Sequence, residues 1–567
     1  MKNLEVARIL SGLADLLEMK EVEYKPRAYR NAARTIKNLS EDIEKINEEG
    51  KLKELPGVGE SISRKIQEIL ETGSLKYYED LKEEFPIDYQ SLLAVEGLGP
   101  KSIQLLYKEL GVKNLDQLEK AAKEHKIREL EGLGEKSEQK ILENIEFARR
   151  STSRMLLGYA LPIAEELKNK LAQSQAVNRL EIAGSIRRKK ETIGDIDLLV
   201  ITEEPQKVMD FFANLDMVES VVAKGEDKST MRLKEGLEAD LRAVSEKSFG
   251  SALIYFTGSK ETNIQMRKNA MDKDMKLNEY GLFQDEKRIA GRTEEEVFQK
   301  MGMTYIEPEL RENRGEVEAA LNGELPNLVG HDELRGDLQM HTKWSDGSYT
   351  IEEMAKAAKD QGHEYIAITD HTGTLRIAGG MDEEDIQKQI KQIEKVDREI
   401  PDLTILKGAE VNIQSNGRLD VKDEVLKDLD LVIASIHSGF RQRREKLTKR
   451  IISAMENENV NIIAHPTGRK IQERKGYDLN FEKIFEKSKE TNTFLEINSY
   501  PARLDLNDIN VKKAVNAGCK LAINTDAHNK EHLRYIKLGI ATARRGWAET
   551  KDIINTLPLN ELQRILS

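Results

Sequence analysis

The sequence predicts a multidomain protein of mixed α+β and α/β class, with a helical N-terminal region, a central sheet domain and a C-terminal parallel βα barrel. The chain has 567 residues, which exceeds the size at which one hydrophobic core stops growing. Up to about residue 150 the apolar residues keep helical spacing, and one Gly-x-Gly element recurs three times. From about residue 335 short apolar strands alternate with long amphipathic helices, a pattern typical of parallel βα folds.

The composition predicts a cytoplasmic monomer with no membrane partner. Apolar runs such as "DLLVI" and "LVIASI" are far shorter than the roughly 20 residues that span a bilayer, and Met1 opens no signal peptide. The single cysteine, Cys519, excludes an internal disulfide and is typical of a reducing compartment. The net charge of -12 argues against adhesion of the whole surface to nucleic acid. Contacts with DNA are therefore expected to be local, through backbone amides, cations and short basic runs such as Arg187 to Lys190.

The N-terminal repeat predicts helix-hairpin-helix elements. "LPGVGESISRKI", "VEGLGPKSIQLL" and "LEGLGEKSEQKI" each place a Gly-x-Gly turn between an apolar helix end and a new helix. Glycines let the backbone approach a phosphate, whose charge meets free N–H groups at the helix N-terminus. Alternatively, each turn simply caps one helix before the next begins. Three similar copies favour DNA backbone binding by the first two, while a structural role stays open for the third, with Gly132 and Gly134. The expected DNA-binding glycines are Gly57, Gly59, Gly97 and Gly99.

The central region contains a first candidate metal site. The β-type runs "RLEIAGSI", "DIDLLVI" and "EADLRAV" predict a sheet. Asp195 and Asp197 are two residues apart on one strand, so their carboxylates project from the same face, and Asp240 lies on another apolar strand. Three converging carboxylates suit two hard cations, Mg²⁺ or Mn²⁺, and transfer of a nucleotide to a primer 3′-hydroxyl. An exposed edge strand, or a turn after Gly194, is the alternative, which the upstream Gly-Ser and Asp240 disfavour.

The C-terminal region contains a second candidate metal site. Eight of the nine histidines follow residue 330, and most stand at the end of an apolar strand or near an acid. In a parallel βα barrel the strand ends form one rim, so such residues meet in one cleft. Imidazole and carboxylate together suit Zn, Mn or Fe, and the number of groups predicts a cluster of two or three ions. A lone histidine is more often packed or capping, an interpretation that we keep for His125, His331, His363 and His532.

The motifs "GSIRR", "GDID" and "YFTGS" together resemble the family X DNA polymerases, to which DNA polymerase beta belongs, over roughly residues 1 to 315. The resemblance implies a nucleotidyltransferase palm and a thumb. It implies that Asp195, Asp197 and Asp240 are catalytic metal ligands, and that Gly184, Ser185 and Arg188 contact the triphosphate. It also implies that Tyr255, Phe256 and Gly258 line the sugar pocket, that Asn263 faces the nucleotide, and that Arg267, Glu279 and Tyr280 support the nascent pair.

The first repeat also resembles the lyase domain of that family, in which a lysine amine attacks the sugar aldehyde at an abasic site. The matching residue is Lys65, in "GESISRKI". A Schiff-base lysine needs a lowered pKa, which neighbouring cations can supply. Lys25, Arg64 and Tyr29 are the expected neighbours of Lys65. The alternative is that Lys65 simply contacts a phosphate from the second helix of the hairpin.

Residues 336 to 567 are similar to the PHP (polymerase and histidinol phosphatase) family, whose members hydrolyse phosphoesters at a trinuclear centre in a distorted (β/α)7 barrel. The similarity implies an Mn²⁺ or Zn²⁺ cluster held by His341, Asp346, His371, Glu410, His437, His465, Asp526 and His528. One departure stands out, because the family's first motif commonly reads His-x-His and this chain has Gln339 at the first position. Glutamine offers a neutral carbonyl, so one metal is expected to bind more weakly or to take an extra water.

The domain order predicts a helical lyase-like domain at 1–85 with the first hairpin, and a fingers-like domain at 86–150 with the second and third. The palm is predicted at 151–240, the thumb at 241–314, a linker at 315–335 and the PHP domain at 336–567. This order resembles the bacterial family X polymerases in which the C-terminal module is a 3′-5′ exonuclease that also cuts at abasic sites or cleans 3′ ends. The expected role is gap filling in base excision repair, on gapped or primed DNA with dNTPs.

Three alternatives stay open. "GS...DxD" is shared by template-independent nucleotidyltransferases and by enzymes that act on small molecules, although the hairpin repeats argue against both. The barrel could instead be a small-molecule phosphatase on a DNA-binding platform. A repair scaffold with an inactive C-terminal module is the third, and Gln339 is the residue that keeps it open.

Overall fold

The computed structural model describes residues 2–20, 22–37, 43–93, 95, 98–152, 154–373 and 379–567. The chain divides into two compact units, Met1–Ser153 with Gln472–Arg474, and Arg154–Ile471 with Lys475–Ser567. Within the described residues no helix combines the length and the apolar character needed to cross a bilayer.

The N-terminal unit is helical, as predicted. Its main core is formed by α1, where Leu10, Leu13 and Leu17 are fully buried at helical spacing and pack with Ile36 and Ile66. The helices are α1 Lys2–Met19, α2 Lys25–Lys37, α3 Ile43–Glu48, α4 Glu60–Thr72, α5 Lys76–Glu84, α6 Tyr89–Leu93, α7 Pro100–Leu110, α8 Leu115–Lys123 and α9 Glu135–Thr152.

The first and third glycine repeats form the predicted turns between helices, and the second is described from Leu98 onward. Gly59 lies directly before α4, and Gly99 lies directly before α7. Gly57 and Gly132 have φ angles of 78° and 81°, a left-handed conformation that favours glycine. Gly97 lies outside the described residues. The turns are therefore built as a helix-hairpin-helix region requires, while their contact with DNA stays a prediction.

The palm is built on a mixed five-stranded sheet with the order β2-β4-β7-β6-β5. Strands β4 and β7 are parallel, and their register places Asp197 opposite Asp240. The elements are β1 Met155–Leu156, α10 Leu157–Leu171, β2 Arg179–Ile182, α11 Gly184–Arg187, β3 Thr192–Ile193, β4 Asp195–Ile201, α12 Pro205–Ala213, β5 Val218–Lys224, β6 Lys228–Leu233 and β7 Glu238–Val244.

The thumb follows as helices around a small antiparallel sheet with the order β10-β9-β8. Its elements are α13 Phe249–Thr257, α14 Lys260–Met271, β8 Lys276–Asn278, β9 Gly281–Gln284, β10 Lys287–Ala290 and α15 Glu294–Lys300. The segment predicted as a linker, 315–335, contains α16 Glu316–Asn322 and is packed against its neighbours. Ala320 is buried in the thumb core, and Val329 is buried in the barrel core.

The C-terminal region is a nearly closed barrel of seven parallel strands, which confirms the predicted βα architecture. Strands β11 to β17 pair in chain order, and a bridge between Met340 and Ala527 joins the first strand to the end of the last. The elements are β11 Gly336–Met340, α17 Ile351–Asp360, β12 Tyr365–Ile368, α18 Glu383–Glu399, β13 Thr404–Asn412, α19 Asp423–Leu426, β14 Leu431–Ser435, α20 Arg444–Met455, β15 Ile462–Ile463, α21 Phe481–Thr491, β16 Phe494–Asn498, α22 Asp508–Asn516, β17 Leu521–Asn524, α23 Ile536–Arg545 and α24 Leu559–Leu566.

A buried ion network joins the palm to the thumb. The carboxylate of Glu294 accepts hydrogen bonds from Arg187 at 2.5 Å and from Arg311 at 2.7 Å, and Arg311 is fully buried. Burial alone would raise the pKa of Glu294, but the two guanidinium groups outweigh it and lower this pKa to about 2. The charged form of Glu294 therefore stabilises the folded protein.

We predict that Glu294→Gln lowers the free energy of unfolding by about 3 kcal/mol at pH 7, because two buried guanidinium groups lose their counter-ion. The folded-state pKa lies below the ordinary value, so this stabilisation is complete above about pH 4.5 and is lost as the pH falls toward 2. Urea unfolding at a series of pH values measures it. Glu295→Gln, an exposed neighbour on the same helix, is the control, and equal losses in both variants would contradict the assignment.

Two candidate metal centres

The palm brings the three predicted aspartates together on one face of the sheet. Asp195 and Asp197 lie two residues apart on β4, and Asp240 is the register partner of Asp197 on β7. Burial raises the pKa of Asp197 to about 7, and the negative charges of Asp195 and Asp240 add to this rise. Three carboxylates that lie together in this way suit a site for divalent cations, which would relieve the repulsion.

Two residues of β6 hold Asp240, and the sequence reasoning missed both. Thr230 donates a hydrogen bond to Oδ1 of Asp240 at 2.5 Å, and Nζ of Lys228 lies 2.8 Å from its Oδ2. Strand β6 reads "KSTMRL", where alternate residues are buried, so its alternation was the available signal.

Close approach of the backbone explains the glycine in "GSIRR". Gly184 has a φ of 62°, and a Cβ there would lie 2.0 Å from Oδ2 of Asp197. A larger residue would therefore displace a candidate metal ligand. The hydroxyl of Ser185 is buried and has no hydrogen-bond partner within the described part of the chain. An unsatisfied buried hydroxyl beside the aspartates suits contact with a ligand.

The residues implied for nucleotide binding lie around the start of the thumb. Nη1 of Arg188 donates to the carbonyl of Thr257, next to Gly258, and Nε donates to Glu312 at 2.9 Å. Nδ2 of Asn263 donates to the carbonyl of Tyr255 at 2.7 Å. The rings of Tyr255 and Phe256 meet edge to face, with centroids 5.0 Å apart. The side chains of Arg188 and Asn263 therefore both bind backbone carbonyls at the end of α13, which places these residues close together.

The basic run from Arg187 to Lys190 is not a free cationic patch. Arg187 is paired with Glu294, as described above, and Nζ of Lys190 lies 3.1 Å from Glu312. Acids of the thumb therefore pair with both ends of this run, while its contact with DNA stays a prediction.

The residues implied to support the nascent pair lie on exposed surface. Arg267 is exposed on α14, and Tyr280 is 62% exposed at the turn between β8 and β9, next to Glu279. Among the described residues no contact joins Arg267 to that turn. Their role in binding DNA stays a prediction.

Lys65 lies on α4 with one of its three expected neighbours. Its Nζ is 5.9 Å from the ring centroid of Tyr29 and 3.2 Å from the hydroxyl of Ser61. Arg64 instead pairs with Glu60 at 3.2 Å. The role of Lys65 as a lyase amine stays a prediction.

The barrel gathers the predicted metal ligands at one rim. Glu410 is central, because its Oε1 lies 3.2 Å from Nε2 of His437 and 3.2 Å from Nε2 of His465. Its Oε2 lies 3.3 Å from His371 and 3.4 Å from His341. Three overlapping groups each have their ligand atoms within 4.8 Å of one another: His341, Asp346, His371 and His528; His371, Glu410 and His437; and His341, Glu410 and Asp526.

The unsatisfied polar atoms at this rim fit bound divalent metal ions. The Nδ1 atoms of His341, His371 and His465 and the Oε1 atom of Glu410 are buried and make no hydrogen bond within the described residues. Buried polar atoms are normally paired, so a concentration of unpaired ligand atoms points to a ligand. Imidazole and carboxylate are the donor set of Zn²⁺ and Mn²⁺.

The charges of the rim are strongly coupled. Burial works against a charged imidazole at His528, yet Asp346 and Asp526 outweigh it and raise the pKa of His528 to about 10. Burial lowers the pKa of His371 to about 3, which leaves that imidazole neutral. Without metal, therefore, a proton on His528 neutralises acids that metal ions would otherwise neutralise.

Further residues position the ligands. Asp370 accepts hydrogen bonds from the backbone N–H of Thr342 at 2.7 Å and from the hydroxyl of Ser345 at 2.6 Å. These bonds fix the position of the loop 342–346, which carries Asp346. Oδ1 of Asn412 lies 2.5 Å from Nδ1 of His437. The sequence reasoning missed Asp370 and Asn412, although both stand at strand ends. Such partners orient metal ligands.

Gln339 lies inside this cluster at the position where a histidine was expected. Its Nε2 donates to Oε2 of Glu410 at 3.1 Å, and its Oε1 is buried without a hydrogen bond to the described residues. The amide therefore contacts the central carboxylate directly, and its oxygen is free to serve as a neutral ligand.

The four histidines interpreted as packing residues lie outside the three groups of candidate ligands. His125 lies 2.9 Å from Glu138, and His331 lies 3.8 Å from Glu309. Burial lowers the pKa of His363 to about 4. His532 packs against aromatic rings near the rim.

Fold and sites together define a class: a metal-dependent enzyme with two centres for phosphodiester chemistry, one in a polymerase-like palm and one in a barrel. Matches to family models agree. They are a helix-hairpin-helix domain at 1–75, a SAM-like helix-hairpin-helix tandem at 89–146, a DNA polymerase beta thumb at 252–312 and a PHP domain at 337–500. The chain belongs to the bacterial family X DNA polymerases that carry a C-terminal PHP domain.

Similar proteins support the family at full length. The chain is 38% identical over 571 aligned residues to the DNA polymerase/3′-5′ exonuclease PolX of Bacillus subtilis (strain 168), covering 100% of this chain and 99% of that protein. It is 35% identical over 203 residues to a probable phosphatase of Thermoanaerobacter sp. (strain X514), covering 34% of this chain and 78% of that protein. A probable phosphatase of Clostridium acetobutylicum is 31% identical over 202 residues, with the same two coverages.

We predict that Mn²⁺ binding to the barrel rim releases protons and weakens by about tenfold or more from pH 8 to pH 6, because His528 must lose its proton to become a ligand. Isothermal titration in buffers of different ionisation enthalpy measures the released protons. His528→Ala should reduce the release, whereas His331→Ala, on a half-exposed residue outside the ligand groups, should not. Binding without proton release in the wild type would contradict this charge balance.

Proposed function

We propose that this chain is a cytoplasmic, template-directed DNA polymerase that fills short gaps during base excision repair and that degrades DNA 3′ ends with its barrel. One observation carries the proposal: two separate clusters of metal-binding side chains, the aspartates of β4 and β7 and the imidazole-rich rim, occur behind a helix-hairpin-helix region in one chain. Cutting at abasic sites and cleaning of 3′ ends are further proposed activities of the same rim.

At the palm, Asp195, Asp197 and Asp240 would hold Mg²⁺ or Mn²⁺, which would supply positive charge against the triphosphate and the primer 3′-hydroxyl. The chain's own contribution is positioning. Gly184 keeps α11 close to Asp197, so that Ser185 at the start of that helix can reach the triphosphate. Arg188 supplies a cation beside the triphosphate. Tyr255, Phe256, Gly258 and Asn263 are proposed to hold the sugar and base, and Arg267, Glu279 and Tyr280 to support the pair with the template.

At the barrel, His341, Asp346, His371, Glu410, His437, His465, Asp526 and His528 would hold two or three Mn²⁺ or Zn²⁺ ions, which would polarise a phosphodiester and activate water. Arg503 adds a fixed cation, because its Nε lies 3.6 Å from Oδ2 of Asp526. A cation at that position can bind a phosphate oxygen. Retention of every implied ligand except the histidine at Gln339 supports an active centre over an inactive scaffold.

A basic segment after His437, made of a loop and the first residues of α20, favours nucleic acid over a small phosphoester as substrate. Directly after His437, the segment 440–449 presents exposed side chains of Arg441, Arg443, Lys446 and Lys449. Beside them the rings of Phe440 and Tyr477 stack at 6.0 Å. Exposed cations next to the centre suit a phosphate backbone that continues beyond the cleaved bond. The similarity to probable phosphatases keeps the small-molecule alternative testable.

Lys65 is proposed to give a secondary 5′-deoxyribose phosphate lyase activity. Its support is the resemblance of the first repeat and the ring of Tyr29 beside its amine. The alternative is that Lys65 contacts a phosphate from the second helix of the hairpin, and it has equal support.

We predict reciprocal losses from single changes at the two centres. On gapped, 5′-phosphorylated DNA with Mn²⁺, Asp195→Ala should abolish extension and spare degradation, and His341→Ala should do the reverse. Denaturing electrophoresis of labelled primer measures both. Incorporation that ignores the template base would support the template-independent alternative, and faster phosphate release from histidinol phosphate than nucleotide release from single-stranded DNA would support the phosphatase. Loss of both activities from either change, with folding intact, would overturn the two-site proposal.

We predict that replacing Arg441, Arg443 and Lys446 together with serine weakens DNA degradation about tenfold at low salt and reduces its salt dependence, because phosphate contacts release counter-ions. Hydrolysis of bis(p-nitrophenyl) phosphate by the same variant should stay unchanged, since that substrate needs only the metal centre. Extension of a primer serves as the control for folding. An equal fall in both hydrolytic activities would show that the loop supports the centre and does not bind DNA.

A further inference from the structure

The last two residues of α23 connect the barrel to the polymerase half of the same compact unit. Arg544 and Arg545 are 8% and 5% exposed, which is rare for arginine, so both need partners. Arg544 donates to Glu309 at 2.9 Å and to the carbonyl of Val329 at 3.0 Å. These contacts lie away from the nucleotide-binding neighbourhood of the palm.

Arg545 reaches that neighbourhood directly. Its Nη1 donates to the backbone carbonyl of Arg188 at 2.5 Å and to Oε1 of Glu312 at 3.2 Å. Its Nη2 donates to Asp508, the first residue of α22, at 2.6 Å. A planar guanidinium thus ties the barrel to the palm and the thumb in a fixed geometry.

Glu312 is shared between this residue and Arg188. Its Oε1 accepts from Nε of Arg188 at 2.9 Å as well as from Arg545, and its Oε2 lies 3.1 Å from Lys190. Burial alone would raise the pKa of Glu312, but Arg545, Lys190 and Arg188 lower it to about 2. A permanently charged carboxylate therefore holds one side of the Arg188 guanidinium.

These contacts leave one end of Arg188 for a ligand. Nε is held by Glu312 and Nη1 by the carbonyl of Thr257, while Nη2 has no partner among the described residues. If Arg545 were absent, Glu312 would have fewer competing cations and the carbonyl of Arg188 would lose its donor. Glu312 and the backbone of Arg188 would then each lose a fixed partner, and the Arg188 guanidinium would no longer be held in one orientation for an incoming triphosphate.

We propose that Arg545 of the barrel is a positioning residue for nucleotide addition, which holds Glu312 and the backbone of Arg188 so that the Arg188 guanidinium is set for the nucleoside triphosphate. The inference rests on the proposed polymerase function. It makes the barrel a structural part of the polymerase site, in addition to its own chemistry, and it needs no occupancy of the rim by metal.

The test measures primer extension by full-length variants, with KM for dNTP and kcat determined separately. Arg545→Met should raise KM for dNTP roughly tenfold, the effect of losing a charged hydrogen bond, with a smaller change in kcat. Arg544→Met is the matched control, because it removes a buried arginine from the same helix and breaks an ion pair with the thumb without touching Arg188. It should leave KM unchanged. DNA degradation by each variant reports whether the barrel is intact.

A double-mutant cycle separates positioning from general damage. If Arg545 acts through Arg188, Arg545→Met should have no further effect on KM in an Arg188→Met background. Arg545→Lys, which keeps the charge, should restore part of the wild-type KM even if Arg545→Met folds poorly. Unchanged KM in the Arg545 variants, an equal rise in Arg544→Met, or an additive effect in the double variant would overturn the inference. Failure of the wild type to extend a primer would overturn the proposed function instead.

Discussion

The structure depends on a single constraint, which is that charged side chains brought close together must be compensated. On β4 and β7 three carboxylates lie on one face of the sheet, and burial, with the negative charges of Asp195 and Asp240 adding to it, raises the pKa of Asp197 to about 7. At the barrel rim four imidazoles, those of His341, His371, His437 and His465, lie 3.2 to 3.4 Å from the carboxylate of Glu410. Such arrangements are costly for an empty fold and favourable around divalent cations, so both centres are organised for metal before any substrate arrives.

At both centres, pairing between parallel strands brings the candidate metal ligands together. In β4 and β7 the parallel register sets Asp197 beside Asp240, and in the barrel the carboxyl ends of the strands form one rim. The backbone is locally strained at the barrel rim, because His465 and Asp526 have φ angles of 29° and 53°, which are unusual for residues other than glycine. The barrel core over-determines these conformations, which is how a rigid scaffold keeps ligands from distant parts of the chain within a few ångströms.

Much of this was predictable from the sequence, for a physical reason. Candidate ligands such as His371 and His437 lie just after apolar runs, and a strand end is a local feature that spacing reveals. Partners that act across strands are not local. Thr230 and Lys228 lie on β6, whose alternation indicates a strand but does not show that it pairs beside Asp240. Asp370 looks like one more candidate ligand until its hydrogen bonds to Thr342 and Ser345 are seen. Pairing between distant segments decides these roles, and sequence periodicity does not carry it.

Two basic dipeptides show most clearly that the sequence does not reveal pairing between distant segments. "RR" at 187–188 and "RR" at 544–545 both suggest exposed cations for a polyanion, yet each arginine is paired with an acid from another segment. The four arginines and the acids Glu294, Glu309, Glu312 and Asp508 form the seam between palm, thumb and barrel. Apolar residues could seal this seam more cheaply, since buried ion pairs gain little net stability. Their advantage is geometric, because planar guanidinium groups fix the angle and register of the segments that they join, and one of these segments carries Arg188, which is proposed to contact the nucleotide.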